Sequence, residues 1–138
     1  MQYFDASALA KRYVRERGSV KVRRLLSADA AATSRLSHVE IASALVRKSR
    51  EGALSEAKRE SASAMLDGDL SAMLIVEVSP DVVARANRLL RRHVLRAGDA
   101  IQLASVLYLR DALDEDVTFT AFDDRLVAAA RGEGLTLT

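Results

Sequence analysis

The chain contains no cysteine and no tryptophan, a single proline, three tyrosines, three phenylalanines and no long apolar run. Without cysteine there is no disulfide framework, no thiolate metal centre and no cysteine nucleophile. The lone proline, Pro80, leaves no proline-rich linker at which to divide the chain, so its 138 residues read as one domain, 1–138, long enough to bury a core unaided. No stretch approaches the ~18 apolar residues of a membrane span, and Met1-Gln2-Tyr3-Phe4-Asp5 does not have the basic and then apolar pattern of a leader. The expectation is a soluble, cytoplasmic protein with no membrane role. Charge is short of a strong sign as well: 21 Lys and Arg against 19 Asp and Glu, a formal net charge of +2.

Hydrophobic residues at 49% and charged residues at 29% are those of a folded globular chain. The basic residues are not spread evenly. Lys11, Arg12, Arg15 and Arg17 follow the first acid, and Arg88, Arg91, Arg92 and Arg96 precede Asp99. Either cluster is accounted for by a solvated helix face; beside a carboxylate site, each would also guide a polyanion to it.

Taken in order, Gln2 to Asp5 predicts a short strand, followed by a helix from Ser7 to near Gly18 and a second from Ser19. Ala30 to Ser34 predicts a short buried strand. A strong helical pattern runs from Ser37 to about Glu51, with Val39, Ile41, Ala42, Leu45 and Val46 at helical spacing and Gly52 as its stop. A more polar helix is expected from Ser55 to Leu66 with Gly68 ending it, then a strand over Met73 to Val78. Pro80 opens the next helix. Gly98-Asp99 opens another, to about Arg110, before an acidic loop from Asp111 to Asp116. Val117 to Thr120 has the β-branched and aromatic content of a buried strand. Asp123-Asp124-Arg125 starts a last helix that stops at Gly132 or Gly134, and Leu135 to Leu137 forms an edge strand. Strands alternating with helices imply an α/β protein with a central parallel sheet covered on both faces, and ligands at the carboxyl ends of its strands.

Four acids stand out by position. Asp5 and Asp123 fall just after strands, Asp99 lies at the mouth of an apolar helix, and Glu40 is the only charge between Val39 and Val46. Each has an ordinary structural explanation. Asp5, Asp99 and the Asp123-Asp124 pair fit helix caps, and Glu40 fits a buried pair with Arg35 or Arg47. Together they describe something else, because several carboxylates brought close repel unless protonated or neutralised by a divalent cation. With no cysteine, and with His38 and His93 not spaced as paired ligands, an all-oxygen donor set favours Mg²⁺ or Mn²⁺ over Zn²⁺. The natural chemistry of such a site is hydrolysis at phosphorus by a metal-activated water. Other acid-based sites fit less well. Asp5-Ala6-Ser7 is not the Asp-x-Asp of a phosphoryl-transfer site, paired acids of a receiver are missing, and there is no glycine-rich phosphate loop, His-Glu-x-x-His or Gly-x-Ser-x-Gly.

Tyr3-Phe4-Asp5-Ala6-Ser7-Ala8-Leu9, Ser37-His38-Val39-Glu40, Leu95 to Ala104 and Phe122-Asp123-Asp124-Arg125-Leu126 resemble, in order and spacing, the motifs of PIN-domain proteins, especially VapC-type toxins. The resemblance covers nearly the whole chain. It implies a three-layer α/β/α sandwich and a Mg²⁺ or Mn²⁺ site formed by Asp5, Glu40, Asp99 and Asp123. It also implies Ser7 in a supporting role, Arg96 on substrate phosphate or on an acid, and Asp124 as the rival for the fourth acid. It further implies RNA cleavage, a homodimer and a cognate VapB-type antitoxin. Two other functions share these features. One is a PIN-like RNA- or protein-binding module with little turnover, and the other is a structure-specific DNA nuclease, for which 138 residues leave little room.

Overall fold

In the computed structural model, which describes residues 1–138, the chain runs β1 (Gln2–Phe4), α1 (Ala6–Ala10), α2 (Ser19–Ala28), β2 (Ala31–Ser34), α3 (Arg35–Arg50), α4 (Glu56–Ala72), β3 (Leu74–Val76), α5 (Pro80–Arg92), α6 (Ala97–Leu113), β4 (Thr118–Thr120), α7 (Asp124–Gly132) and β5 (Thr136–Leu137). The five strands form one sheet in the order β3-β2-β1-β4-β5, and every pairing is parallel. From β1 the chain builds outward in one direction through β2 and β3, then crosses back to build β4 and β5 on the other side. The reversal falls between β1 and β4, which opens a crevice at the carboxyl ends of those two strands.

The period of two in a strand divides the core. Tyr3 faces a cluster formed by α5, α6, α7 and the sheet, with Val82, Leu89, Leu103, Val106 and Leu126 at its centre. Phe4 faces the opposite cluster, where Val22, Ile41, Leu45 and Leu66 come from α2, α3 and α4. The sandwich of helices, sheet and helices expected from the alternation of elements is therefore present. No helix is long and apolar enough to cross a membrane.

Several boundaries differ from the sequence expectation. The first helix stops at Ala10 rather than near Gly18, because Arg12 and Tyr13 turn away to hydrogen-bond the Asp69 carboxylate on α4, each at 2.8 Å. Gly68 does not end α4. It lies on the solvent side, where its cost of about 1 kcal/mol is outweighed by Ala62, Leu66 and Leu70 continuing the buried stripe. Asp111, expected in a loop, sits in the last turns of α6, and Val39 points outward at 62% exposure while Ser37, Ile41 and Leu45 form the buried face of α3.

Candidate active site

Asp5 follows β1 directly and is almost wholly buried, 3% exposed. It caps α1, its Oδ1 accepting the Ala8 amide at 2.8 Å. The cap does not settle the charge. Burial, and after it the neighbouring charges of Asp99, Glu40 and Asp123, push its carboxyl up to about 7 against the opposing pull of the Ala8 N–H. A carboxyl raised by burial and then by three other acids marks a candidate site in addition to a cap.

Glu40 is on α3, half-buried, and takes no arginine partner. Arg35 instead pairs with Glu77 at 2.6 Å, and Arg47 is not among the charges that act on Glu40. Burial and Asp99 hold the Glu40 carboxyl above its usual range. Its position depends on Gly98, since a Cβ there would stand 2.7 Å from Glu40 Oε1. The missing side chain lets the carboxylate lie against the first turn of α6.

Asp99 is not the cap of α6. The helix begins two residues earlier, with Arg96 at the cap position making no side-chain bond to it, so Asp99 sits in the first turn with its carboxylate free of capping. Burial and the charge of Asp123 raise its carboxyl, while Arg96 pulls it down. Asp123 does cap a helix, its Oδ1 accepting the Leu126 amide at 2.9 Å at the start of α7. Asp123 acts on both Asp5 and Asp99, whereas Asp124 is not among the charges that perturb either. Ser7, Arg96, Asp99, Asp123, Asp124 and Arg125 line an open cleft of about 650 Å³. A second groove of about 320 Å³ shares Ser7 and continues past Glu40, Lys11 and Phe122.

The four acids thus come from four different elements near the β1/β4 crevice: Asp99 and Asp123 line the larger cleft, Glu40 lines the groove beside it, and Asp5 lies buried within reach of the charges of all three. Asp5, Glu40 and Asp99 each feel the charge of another of these acids, yet no three His, Cys, Asp or Glu side chains converge on one ion-sized point. As a donor set they suit a hard cation. All are carboxylates, Asp5, Glu40 and Asp99 are all raised by burial and then by an acidic neighbour, and Arg96 is the one positive side chain that acts on Asp99. A divalent ion held by any of them would lessen these repulsions.

Beneath the basin lies a buried polar chain that the motifs do not reveal. Tyr3 Oη donates to Gln102 Oε1 at 2.8 Å, Gln102 Nε2 donates to Ser37 Oγ at 2.9 Å, Ser37 Oγ lies 2.7 Å from Thr33 Oγ1, and Thr33 Oγ1 donates to the Phe4 carbonyl at 2.7 Å. The available signal was a glutamine and a serine on otherwise apolar helix faces, each three residues from an acid: Gln102 from Asp99, Ser37 from Glu40.

The PIN domain family model matches residues 3–132. Ribonuclease VapC45 of Mycobacterium tuberculosis is 35% identical over 133 residues, covering 96% of this chain and 90% of the relative. Among solved structures, Mycobacterium tuberculosis VapC20, a sarcin-ricin loop cleaving toxin, superposes with a TM-score of 0.66 at 19% identity, covering 94% of this chain and 95% of that one. VapBC2 from Rickettsia felis, bound to a DNA fragment from its promoter, gives a TM-score of 0.66 at 14% identity, covering 100% and 98%. The parallel sheet of these structures is the one built here from five short strands. By the span of the family match and the identity to VapC45, the chain belongs to the PIN domain family.

Proposed function

We propose that this protein is a metal-dependent endoribonuclease, the toxin of a type II toxin-antitoxin pair. The observation that carries the reading is the set of coupled carboxylates at the β1/β4 crevice, and the ribonuclease name of a relative 35% identical over 96% of the chain supports it. Asp5, Glu40, Asp99 and Asp123 would hold Mg²⁺ or Mn²⁺. Such an ion, when bound, supplies charge neutralisation at the phosphate and lowers the pKa of a water.

The other groups act on the substrate. Arg96 and Arg125 line the rim of the cleft, where guanidinium groups bind phosphate oxygens by paired N–H donors. The exposed Ser7 hydroxyl sits where the two clefts meet and donates to a ligand in either one. Asp123, through its effect on Asp5 and Asp99, is the fourth acid of the reading, and Asp124 belongs to the rim. Hydrolysis by water needs no substrate 2′-hydroxyl, so the products carry 5′-phosphate and 3′-hydroxyl ends. The partner is a VapB-type antitoxin, a reading supported by the VapBC2 assembly among the structural neighbours, and the working unit is a homodimer, as the family resemblance implies.

The spread of the carboxylates favours a second reading, a binding module that holds RNA or a protein with little turnover. One experiment separates the two: cleavage of total RNA by the purified protein in Mg²⁺, Mn²⁺ or EDTA, alongside Asp99→Asn. Because Asp99 caps nothing and its carboxyl is raised by burial and Asp123, the variant should keep or slightly exceed the wild-type melting temperature and lose more than about 100-fold in cleavage. Products with 2′,3′-cyclic phosphate would refute the water mechanism. RNA retained in EDTA with no cleavage in any ion would select the binding module.

A further inference from the structure

Phe122 precedes Asp123 at the crevice and keeps 37% of its surface exposed, although it is one of only six aromatic residues in the chain. Its ring is nevertheless held in place. Gly18, at φ 95°, packs so tightly on its edge that a Cβ there would lie 2.9 Å from Cε1 and Cζ. Two ammonium groups attend the ring: Lys11 Nζ stands 4.7 Å from the centroid and Lys21 Nζ 5.9 Å. Lys11 is shared with Glu16 at 3.3 Å. The segment leading into α2 exposes Arg15 and Arg17, with Glu16 between them, and α2 itself exposes Arg24. The arrangement is thus a part-exposed aromatic ring held at its Cε1–Cζ edge, cations at its ring, exposed arginines on the flanking segment and helix, and the carboxylates one residue along the chain.

A buried ring would explain its fixed position, and a solvated basic helix would explain the charges. Neither explains the two in contact at the edge of a reaction cleft. Single-stranded nucleic acid is recognised by this combination, with bases stacking on aromatic planes while flanking phosphates meet lysine and arginine. We propose that Phe122, with Lys11 and Lys21, forms a stacking seat for one unpaired base beside the scissile phosphate, with the strand continuing toward Arg15, Arg17 and Arg24. The seat requires an unpaired base, so it selects single-stranded or looped substrate over continuous duplex. This inference rests on the ribonuclease reading for its substrate class and deepens it by naming where a neighbouring nucleotide binds.

The test measures binding apart from cleavage. A fluorescently labelled single-stranded oligoadenylate and a duplex RNA of equal length are titrated with the wild-type protein, Phe122→Ala, Phe122→Leu and Phe122→Trp, all in EDTA. Phe122→Ala and Phe122→Leu should bind the single strand about 5- to 150-fold more weakly, with Phe122→Trp restoring or exceeding wild-type affinity. Leucine preserves apolar volume against Gly18 without a π-face, so it separates stacking from packing and serves if the alanine variant fails to fold. Duplex affinity should change less than about twofold across the series. Unchanged single-strand binding by Phe122→Leu, or equal losses on both RNAs, overturns the proposal. Wild-type cleavage in Mg²⁺ or Mn²⁺ is scored separately. Cleavage with a Phe122-independent KM would refute the stacking seat and leave the nuclease standing, while Phe122-dependent binding without cleavage would do the reverse.

Discussion

Replacing Asp5 by asparagine should make the metal-free protein more stable, and more so as the pH rises. The carboxyl of Asp5 is pushed up to about 7 from an unfolded value of 3.8, chiefly by burial and then by Asp99, Glu40 and Asp123. An acid whose folded pKa is raised is protonated in the native state over a range where the unfolded chain has already ionised. The unfolded state therefore binds fewer protons, and stability falls as pH rises from about 4 to about 7. At ~1.4 kcal/mol per unit of pKa, the loss between pH 5 and pH 8 is roughly 3 kcal/mol, of the order of 10 °C in melting temperature for a chain of this length. Asparagine retains the oxygen that accepts the Ala8 amide at 2.8 Å, so the α1 cap survives and only the titration is removed.

The assay is thermal or urea unfolding of both proteins in EDTA from pH 5 to pH 8. The difference Asp5→Asn minus wild type should grow by roughly 3 kcal/mol across that interval. Added Mg²⁺ or Mn²⁺ at pH 8 should raise the wild-type melting temperature and leave that of Asp5→Asn nearly unmoved, by ordinary linkage of ligand binding to folding. Parallel pH profiles for the two proteins would show that Asp5 ionises normally, and the electrostatic account of the basin would then fail.

Two further substitutions probe what holds the acids in place. Gly98→Ala introduces a Cβ 2.7 Å from Glu40 Oε1, while alanine suits a helix better than glycine. The expected outcome is an unchanged or slightly higher melting temperature with a several-fold higher Mg²⁺ or Mn²⁺ concentration for half-maximal cleavage; an unchanged metal titration would show that Glu40 does not need that close approach. Gln102→Leu takes from the Tyr3 hydroxyl its acceptor in a buried setting and removes one donor from Ser37, which keeps its bond to Thr33. Urea unfolding should show a loss of about 1–3 kcal/mol for each polar group left unsatisfied, and a loss under ~0.5 kcal/mol would mean that the network relaxes around the change.

Much of this fold is legible in the sequence because the strands are short, β-rich and separated by helix-period segments. The alternation fixes a parallel sheet, and Asp5 and Asp123 can be placed at its carboxyl edge before any coordinates exist. What fails is local and has local causes. Asp is so common a cap that Asp99 invites that reading, yet α6 starts at Ala97 and leaves its carboxylate in the first turn. Gly68 has the appearance of a helix stop, but tertiary burial of Leu66 and Leu70 overrides one unfavourable residue. The early end of α1 depends on Asp69, 57 positions from Arg12, a contact that no local pattern contains. Arg35 pairs with Glu77, 42 positions away, and neither it nor Arg47 acts on Glu40, which periodicity cannot show.

The placement of the acids follows from the same hydrogen bonds that satisfy the interior. Thr33 holds the carbonyl of Phe4, the residue before Asp5; Ser37 lies one turn before Glu40; Gln102 lies one turn after Asp99. Three of the four acids are thereby attached to one buried polar chain linking β1, β2, α3 and α6. Fully satisfied networks of this kind rigidify the elements they join. That rigidity is needed here, because the carboxylates repel and a looser scaffold would let them move apart into solvent. The stabilising network and the destabilising basin are two sides of one arrangement, in which packing beneath the crevice keeps together charges that gain from proximity only when a cation lies between them.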